Sequence, residues 1–278
     1  MVALLAEEPA AHIAEPLPPL ERVATDRYCV NLGATPTETV VQRVRCSEAS
    51  LADVIAEVRA LVHHRGHRQA IWFVGPSTKP SNLLARLQRE GFVPTRTPPW
   101  EPTYAAMMMT NPPSPPADRR ISARRVETLE DLIAGIRVDA ASTGLSDAEL
   151  NAMLRAAPDL FKIERRDGRL TFLAFDETQT PIAFAMAMPS PFGLELASAA
   201  TLPDHRGRGA YRALVYARWQ EAVRRGTPAL AIQAGANSRP ILERLGFHTI
   251  CTLHALTDPA TCRDDPVGTE ALEAPWHV

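Results

Sequence analysis

The stretch NLLARLQREGF at residues 82–92 returns as NSRPILERLGF at 237–247, with Leu87 and Arg89 of the first copy at the offsets of Leu242 and Arg244 in the second. Each copy follows the same preamble. A helical pattern closes on a glycine, Gly66 or Gly226, and a short apolar strand follows through Ile71 or Ala231 at the same distance. From Asn82 to Gly91 is again the same step as from Asn237 to Gly246. The spacing changes in one place, where PSTKP lengthens the first copy between strand and helix. Helix, strand and helix in register, twice over, argue for a duplicated unit, and so for two related halves, against the alternative of two unrelated strand–helix segments.

Proline marks the joints. Residues 9–19 (PAAHIAEPLPP) read as disordered, which makes 1–20 a flexible arm, and 111–118 begins NPPSPPA, a stiff linker that neither a helix nor an inner strand can absorb. The halves are then 21–110 and 119–258, with 259–278 as a tail. In the second half, ISARRV (121–126) alternates as a strand does. Two helical patterns follow, one capped by Thr128 with Asp131 three residues on, the other by Ser146 with Glu149 at the same offset. LTFLAFD, PIAFAMAM and LELASAATL, separated by short turn-rich breaks, read as antiparallel strands. A helix then places Tyr211, Leu214, Val215, Trp219, Ala222 and Val223 on one face, before the strand ALAIQAG, the repeated element and the strand HTICTLHAL.

Charge and composition remove several function classes. Lys+Arg 30 against Asp+Glu 32, without a basic block, gives no reason to expect nucleic acid. The N-terminus lacks the basic start of a secretory signal, and no run approaches the ~18 apolar residues of a membrane span. Cys29, Cys46, Cys251 and Cys262 are scattered with no CxxC pair, as expected of reduced thiols in a cytoplasmic protein, and His63, His64 and His67 suit a helix surface better than a metal site. Whether the chain is a monomer or a homodimer is left open.

The most informative heptapeptide is HRGRGAY (205–211), between a strand and a helix. Gly207 and Gly209 let the backbone approach a ligand, the free N–H groups and dipole of the helix start favour an anion, and Arg206 and Arg208 add charge. It is neither a P-loop nor a dinucleotide fingerprint. The context narrows it: a strand ending ATLPD, RGRGAY opening a helix, a buried strand, then N…LERLGF. Over roughly 119–258 this order resembles the GNAT superfamily of acyl-CoA-dependent N-acetyltransferases, whose Arg/Gln-x-x-Gly-x-Gly/Ala signature lands on Arg206, Gly209 and Tyr211. Tyr211 departs from it, because the family carries a small residue there.

The resemblance implies a mixed, mostly antiparallel α/β sheet flanked by helices, with a partial, degenerate copy of the same unit at the N-terminus. It implies acetyl-CoA as co-substrate and direct attack of an amine acceptor on the thioester. Backbone amides of Arg206, Gly207, Arg208, Gly209, Ala210 and Tyr211 would cradle the pyrophosphate, and main-chain groups of Ala199, Ala200, Thr201 and Leu202 would pair with the pantetheine arm as a strand does. An N–H near Ala200 would meet the developing oxyanion. Glu195 is the candidate base, with a solvent-facing strand residue as the alternative reading. The tyrosine that often serves as acid is replaced by Leu242, so the thiolate leaves unaided or through water, or takes a proton from Tyr211 or Ser238; Tyr211 equally suits packing near the phosphates. Asn237 suits a helix cap or a CoA contact. Asp139, Asp147, Glu149 and Asp159 on the acceptor side allow a cationic amine or form a solvated acidic face. A CoA-binding module without chemistry and a purely structural protein are the competing functions. The first copy has VQRVRCSEASLADV where the second has its glycine loop, so one acetyl-CoA per chain is expected.

Overall fold

The computed structural model describes residues 1–14, 20–96, 100–118, 120–166 and 168–262. In chain order the elements are α1 (Val2–Glu7), β1 (Glu21–Ala24), β2 (Cys29–Leu32), β3 (Thr39–Gln42), α2 (Leu51–His64), β4 (Ile71–Val74), α3 (Leu83–Arg89), β5 (Val93–Pro94) and β6 (Thr103–Met109). The second half contributes β7 (Ser122–Arg125), α4 (Leu129–Thr143), α5 (Asp147–Arg165), β8 (Leu170–Phe175), β9 (Pro181–Ser190), β10 (Gly193–Thr201), α6 (Ala210–Arg224), β11 (Leu230–Ala234), α7 (Arg239–Arg244) and β12 (His248–Thr257). The caps read from the sequence form. Thr128 Oγ1 accepts the Asp131 N–H at 3.1 Å, and Ser146 and Glu149 make a reciprocal capping box.

All strands join one sheet in the order β1-β2-β3-β4-β12-β6-β11-β10-β9-β8-β7, with β5 against β12. Most pairs are antiparallel; β3 with β4 and β10 with β11 are parallel, one such pair in each half. The halves are not the separate blocks that 21–110 and 119–258 suggest. Strand β6 of the first half lies beside β11 of the second, and β12 of the second lies beside β4 of the first. Exchanging last strands gives each a partner on both sides and removes two edges that would otherwise expose unpaired backbone groups.

Side-chain alternation assigns the faces. Ala105 and Met107 of β6 belong to the core under α6 and α7; Thr252, opposite Ala105, lies on the same side of β12 as Leu256, which belongs to the core under α2 and α3. Those four helices therefore share one face. The other is covered by α4 and α5 over β8–β10, and by α1 over the centre.

The structure corrects the reading of the N-terminal arm as flexible over residues 1–14; residues 15–19 lie outside the described residues. Leu5 and Ala6 of α1 are fully buried against Ala106, Ala231, Leu253 and Ala255. Alanines on both surfaces let a short helix lie close to the strands, which is why VALLAE packs here. Polar contacts fasten it. Glu8 makes a bidentate pair with Arg45 (2.8 and 3.0 Å), Glu7 accepts from the Ser77 N–H and Oγ (both 2.7 Å), and Gln233 Nε2 donates to Glu7 O (2.9 Å). At the other end, the start of the expected tail is anchored: Thr261 Oγ1 accepts the Ala70 N–H at 3.0 Å, just after Asp258, whose fully buried side chain pairs with Arg59 at 2.8 Å. Beyond residue 262 the tail lies outside the described residues.

Candidate active site

The parallel pairing of β10 and β11 is short. Leu194 faces Leu230 and Glu195 faces Ala231; beyond that, among the described residues, no strand accompanies β10 on the β11 side. A bulge at Ser198, between Ala197 and Ala199, bends the strand where it leaves its neighbour. Leu202 N–H bonds Ile182 O on β9 at 3.0 Å. By alternation Ala200 also faces β9, so Ala199 and Thr201 carry the main-chain groups that face the gap. The four residues expected to pair with an extended ligand are thus corrected to two, because alternate peptide groups are already engaged on β9.

The first half contains the same gap, and the register identifies equivalent positions. Val40 pairs with Ile71 in parallel just as Glu195 pairs with Ala231. Val44 and Cys46 then correspond to Ala199 and Thr201. In this copy the gap is full: Lys79 N–H donates to Val44 O (2.9 Å) and Lys79 O accepts from Cys46 N–H (3.2 Å). Lys79 belongs to PSTKP, the insertion that sets the two copies apart. The first copy thus fills with its own main chain the slot that the second leaves open, and it carries Val40 where the second carries Glu195.

Glu195 sits in the gap's wall with its side chain on the α1 and α4 face, since Leu194 and Leu196 belong to the core under α6. It is 5% exposed, and its Oε2 has no hydrogen-bond partner among the described residues. This excludes the solvent-facing alternative. Burial pushes its pKa from the ordinary 4.5 to about 7, with the attraction of Arg218 acting in the opposite direction. A carboxylate in that range can accept a proton near neutral pH.

Arg218 escaped the sequence reading. It lies at the centre of the α6 stripe, is fully buried, and donates to Leu214 O (3.1 Å) and Met186 O (3.2 Å). Val223, assigned to that stripe, is half exposed instead, because at 100° per residue it falls on the stripe's margin and Arg218 falls in its middle. The tell-tale was a cation at i+7 from Tyr211 and i+4 from Leu214. Tyr211, in the first turn of α6, is half-buried on the helix's core-facing side, its ring centroid 5.7 Å from the Arg218 guanidinium carbon.

Gly207 (φ 74°) and Gly209 (φ 94°) both take left-handed conformations in which a side chain is strained, and Ala210 begins α6. Arg206, Gly207, Arg208 and Gly209 are exposed, and Arg206 Nε donates to Thr201 O at 3.2 Å, tying the loop to the gap. A cavity of about 200 Å³ beside the loop is lined by Gly207, Arg208, Gly209, Arg212 and linker residues including Pro116 and Asp118. A larger groove of about 590 Å³ runs along Tyr216 and Trp219 of α6, on the opposite side of the sheet from the Glu195 carboxylate. Asn237 is exposed after β11 and makes no capping bond among the described residues, while Ser238 Oγ donates to Gly235 O at 3.3 Å. Leu242 is fully buried in the core.

Comparison with known proteins agrees with this geometry. Residues 139–247 match the model of the acetyltransferase (GNAT) family. That stretch of the second half is therefore similar to the GNAT family, and the whole chain shares the fold of the tandem GNAT protein and the other neighbours that follow. It is similar to a GCN5-related N-acetyltransferase from Kribbella flavida (TM-score 0.66, 15% identity, 93% of this chain and 96% of that one). It is also similar to a tandem GNAT protein from the clavulanic acid biosynthesis pathway (TM-score 0.62, 15% identity, 95% and 89%) and to a GCN5-related N-acetyltransferase from Sphaerobacter thermophilus (TM-score 0.59, 17% identity, 83% and 76%). No curated protein matches the chain in sequence. Among the described residues, no helix is long and apolar enough to cross a membrane.

Proposed function

We propose that the GNAT domain of this chain transfers an acyl group from acetyl-CoA to an amine, with the β10–β11 gap as the acyl-CoA site. The observation that carries this reading is the contrast between the two gaps. An extended main chain, that of Lys79, fits the first, which supports reading the equivalent open gap as a slot for an extended amide-bearing arm. Ala199 and Thr201 would hold that arm, and the amides and arginines of 206–211 would hold the phosphates, with Asn237 at the gap's other lip. When bound, acetyl-CoA supplies the activated acyl group as a thioester.

Glu195 would take a proton from the acceptor's ammonium, leaving the neutral amine to attack the thioester carbonyl, and its burial matches its basicity to that task. Gap-facing N–H groups of Ala199 and Thr201 are the donors available to a developing negative oxygen. We assign Tyr211 to holding Arg218 under the sheet rather than to proton transfer, because its ring packs in the core beneath α6. With Leu242 buried, no side-chain acid is required: a thiol is much the stronger acid than an amine and leaves readily as thiolate. That same burial favours a second reading, a CoA-binding module without chemistry.

Calorimetry is expected to give one acetyl-CoA per chain, and millimolar ligand to raise the melting temperature. Two per chain, or no binding, would refute the assignment. Thiol release with amino acids, polyamines, aminoglycosides and peptides then separates enzyme from module. Gly209→Glu, which puts a side chain and a negative charge on a left-handed position in the anion loop, is expected to weaken acetyl-CoA binding by about 100-fold or more. Unaltered affinity in that variant would move the phosphates elsewhere.

A further inference from the structure

The carboxylates on the acceptor side are not alike. Glu149 is engaged in the α5 capping box, Asp159 pairs with Lys162 at 2.6 Å, and Asp147 is exposed at the start of α5. Asp139 differs. It is only partly exposed, its carboxylate has no hydrogen-bond or ion-pair partner among the described residues, and burial alone raises its pKa to about 6.

Its direction follows from α4. The helix begins beside β8, where Val126 N–H bonds Thr171 O, and packs across β9 onto β10. Gly135 faces the sheet: a Cβ there would lie 3.3 Å from Leu173 and 3.4 Å from Phe184. Asp139 is four residues on, ~6 Å further along the same stripe. Phe184 is the register partner of Ala200, so the next turn carries Asp139 over the outer part of β10, on the face to which Glu195 points. Glu195 lies at the seam between two covers, α4 on one side and α1 on the other, with Ala197 belonging to the first cluster and Ala231 to the second. A buried carboxylate with an unpartnered Oε2 at the floor of this seam and a second, half-buried on its α4 wall, leave two places that only cations or donors can satisfy.

We propose that Asp139 is the specificity-determining residue for the acceptor, which is a dicationic amine: one amino group is acylated after losing its proton to Glu195, and a second, still protonated, pairs with Asp139. This rests on the acyltransferase reading. Recognition by a half-buried charge pair is worth at least about tenfold in apparent affinity.

The test uses the full chain, acetyl-CoA and three matched acceptors: 1,4-diaminobutane, butylamine and 4-aminobutanoate, whose second group is cationic, absent and anionic. The wild type should prefer them in that order, with KM at least tenfold lower for the diamine than for butylamine. In Asp139→Asn the diamine-to-butylamine ratio of kcat/KM should collapse to near one, and Asp139→Glu should restore part of it. Equal KM for the three amines in the wild type, or an equal loss on all of them in Asp139→Asn, overturns the proposal. So does a wild type that binds acetyl-CoA but releases thiol with none of the three. Failure to bind acetyl-CoA overturns the acyltransferase reading itself, so the two failures are distinguishable.

Discussion

Glu195→Gln is expected to lower kcat by ~10²–10⁴-fold with any amine the wild type accepts, while acetyl-CoA still binds. The substitution keeps the shape of the side chain and removes its ability to take a proton. In the wild type, activity should rise with pH through about 7, where Glu195 ionises, and then level off; in the variant that limb should vanish. Persistence of the limb would assign the base to another group. Stability should move the opposite way. Glu195 has a raised pKa in the fold, so its contribution is fully present below about 4.5 and is lost as pH rises through about 7. Above that, the wild type holds an ionised carboxylate among apolar neighbours, opposed only by the attraction of Arg218. The difference between 4.5 and about 7 sets the penalty at up to about 3 kcal/mol. The variant should therefore melt higher than the wild type at pH 8 and alike at pH 4. A variant that melts lower at pH 8 would mean that Glu195 is a structural partner of Arg218.

Leu5→Asp is expected to destabilise the fold by about 3–5 kcal/mol, a fall in melting temperature on the order of 10 °C. Leu5 is fully buried on the central strands, and an aspartate there would be a charge without a partner among Ala106, Ala231, Leu253 and Ala255. The effect should reach the site. Ala231 is the register partner of Glu195 and lies under α1, so loosening the helix admits water beside the carboxylate. The acid limb of the pH profile should accordingly move below about 7 in whatever fraction remains folded. A melting temperature within a few degrees of the wild type would show that α1 is a loose appendage, as its proline-rich sequel suggested.

Much of the second half was legible because its signals are local. Capping residues at Thr128 and Ser146, period-two alternation in β7, turn-rich breaks between β8, β9 and β10 and glycines after α6 and α7 act within a few residues, and each forms what its sequence implies. The first half was harder. Strands β1–β3 are short, and sequences such as CVNL in β2 and TYAAMMM in β6 have apolar residues that follow no distinctive period, so what makes them strands is the sheet they join. Arg218 was passed over because an arginine in an apolar stripe looks like a surface residue until the carbonyl of Met186 is placed beneath it. The arm misled for a related reason: Pro9 and its neighbours do not form regular structure alone, yet α1 before them is held by strands from both halves.

The sequence by itself determined that there are two copies, that one has a glycine-arginine loop and the other does not, and that PSTKP separates them. These are properties of composition and spacing. Only the tertiary structure decided what the difference does. It exchanged the last strands, so that neither half is complete without the other, because a strand's partner is chosen by burial and free hydrogen bonds rather than by chain order. It also placed the main chain of Lys79 in the first gap and left the second open beside a buried Glu195. That pairing joins backbone groups far apart along the chain, and backbone groups are the same in every sequence.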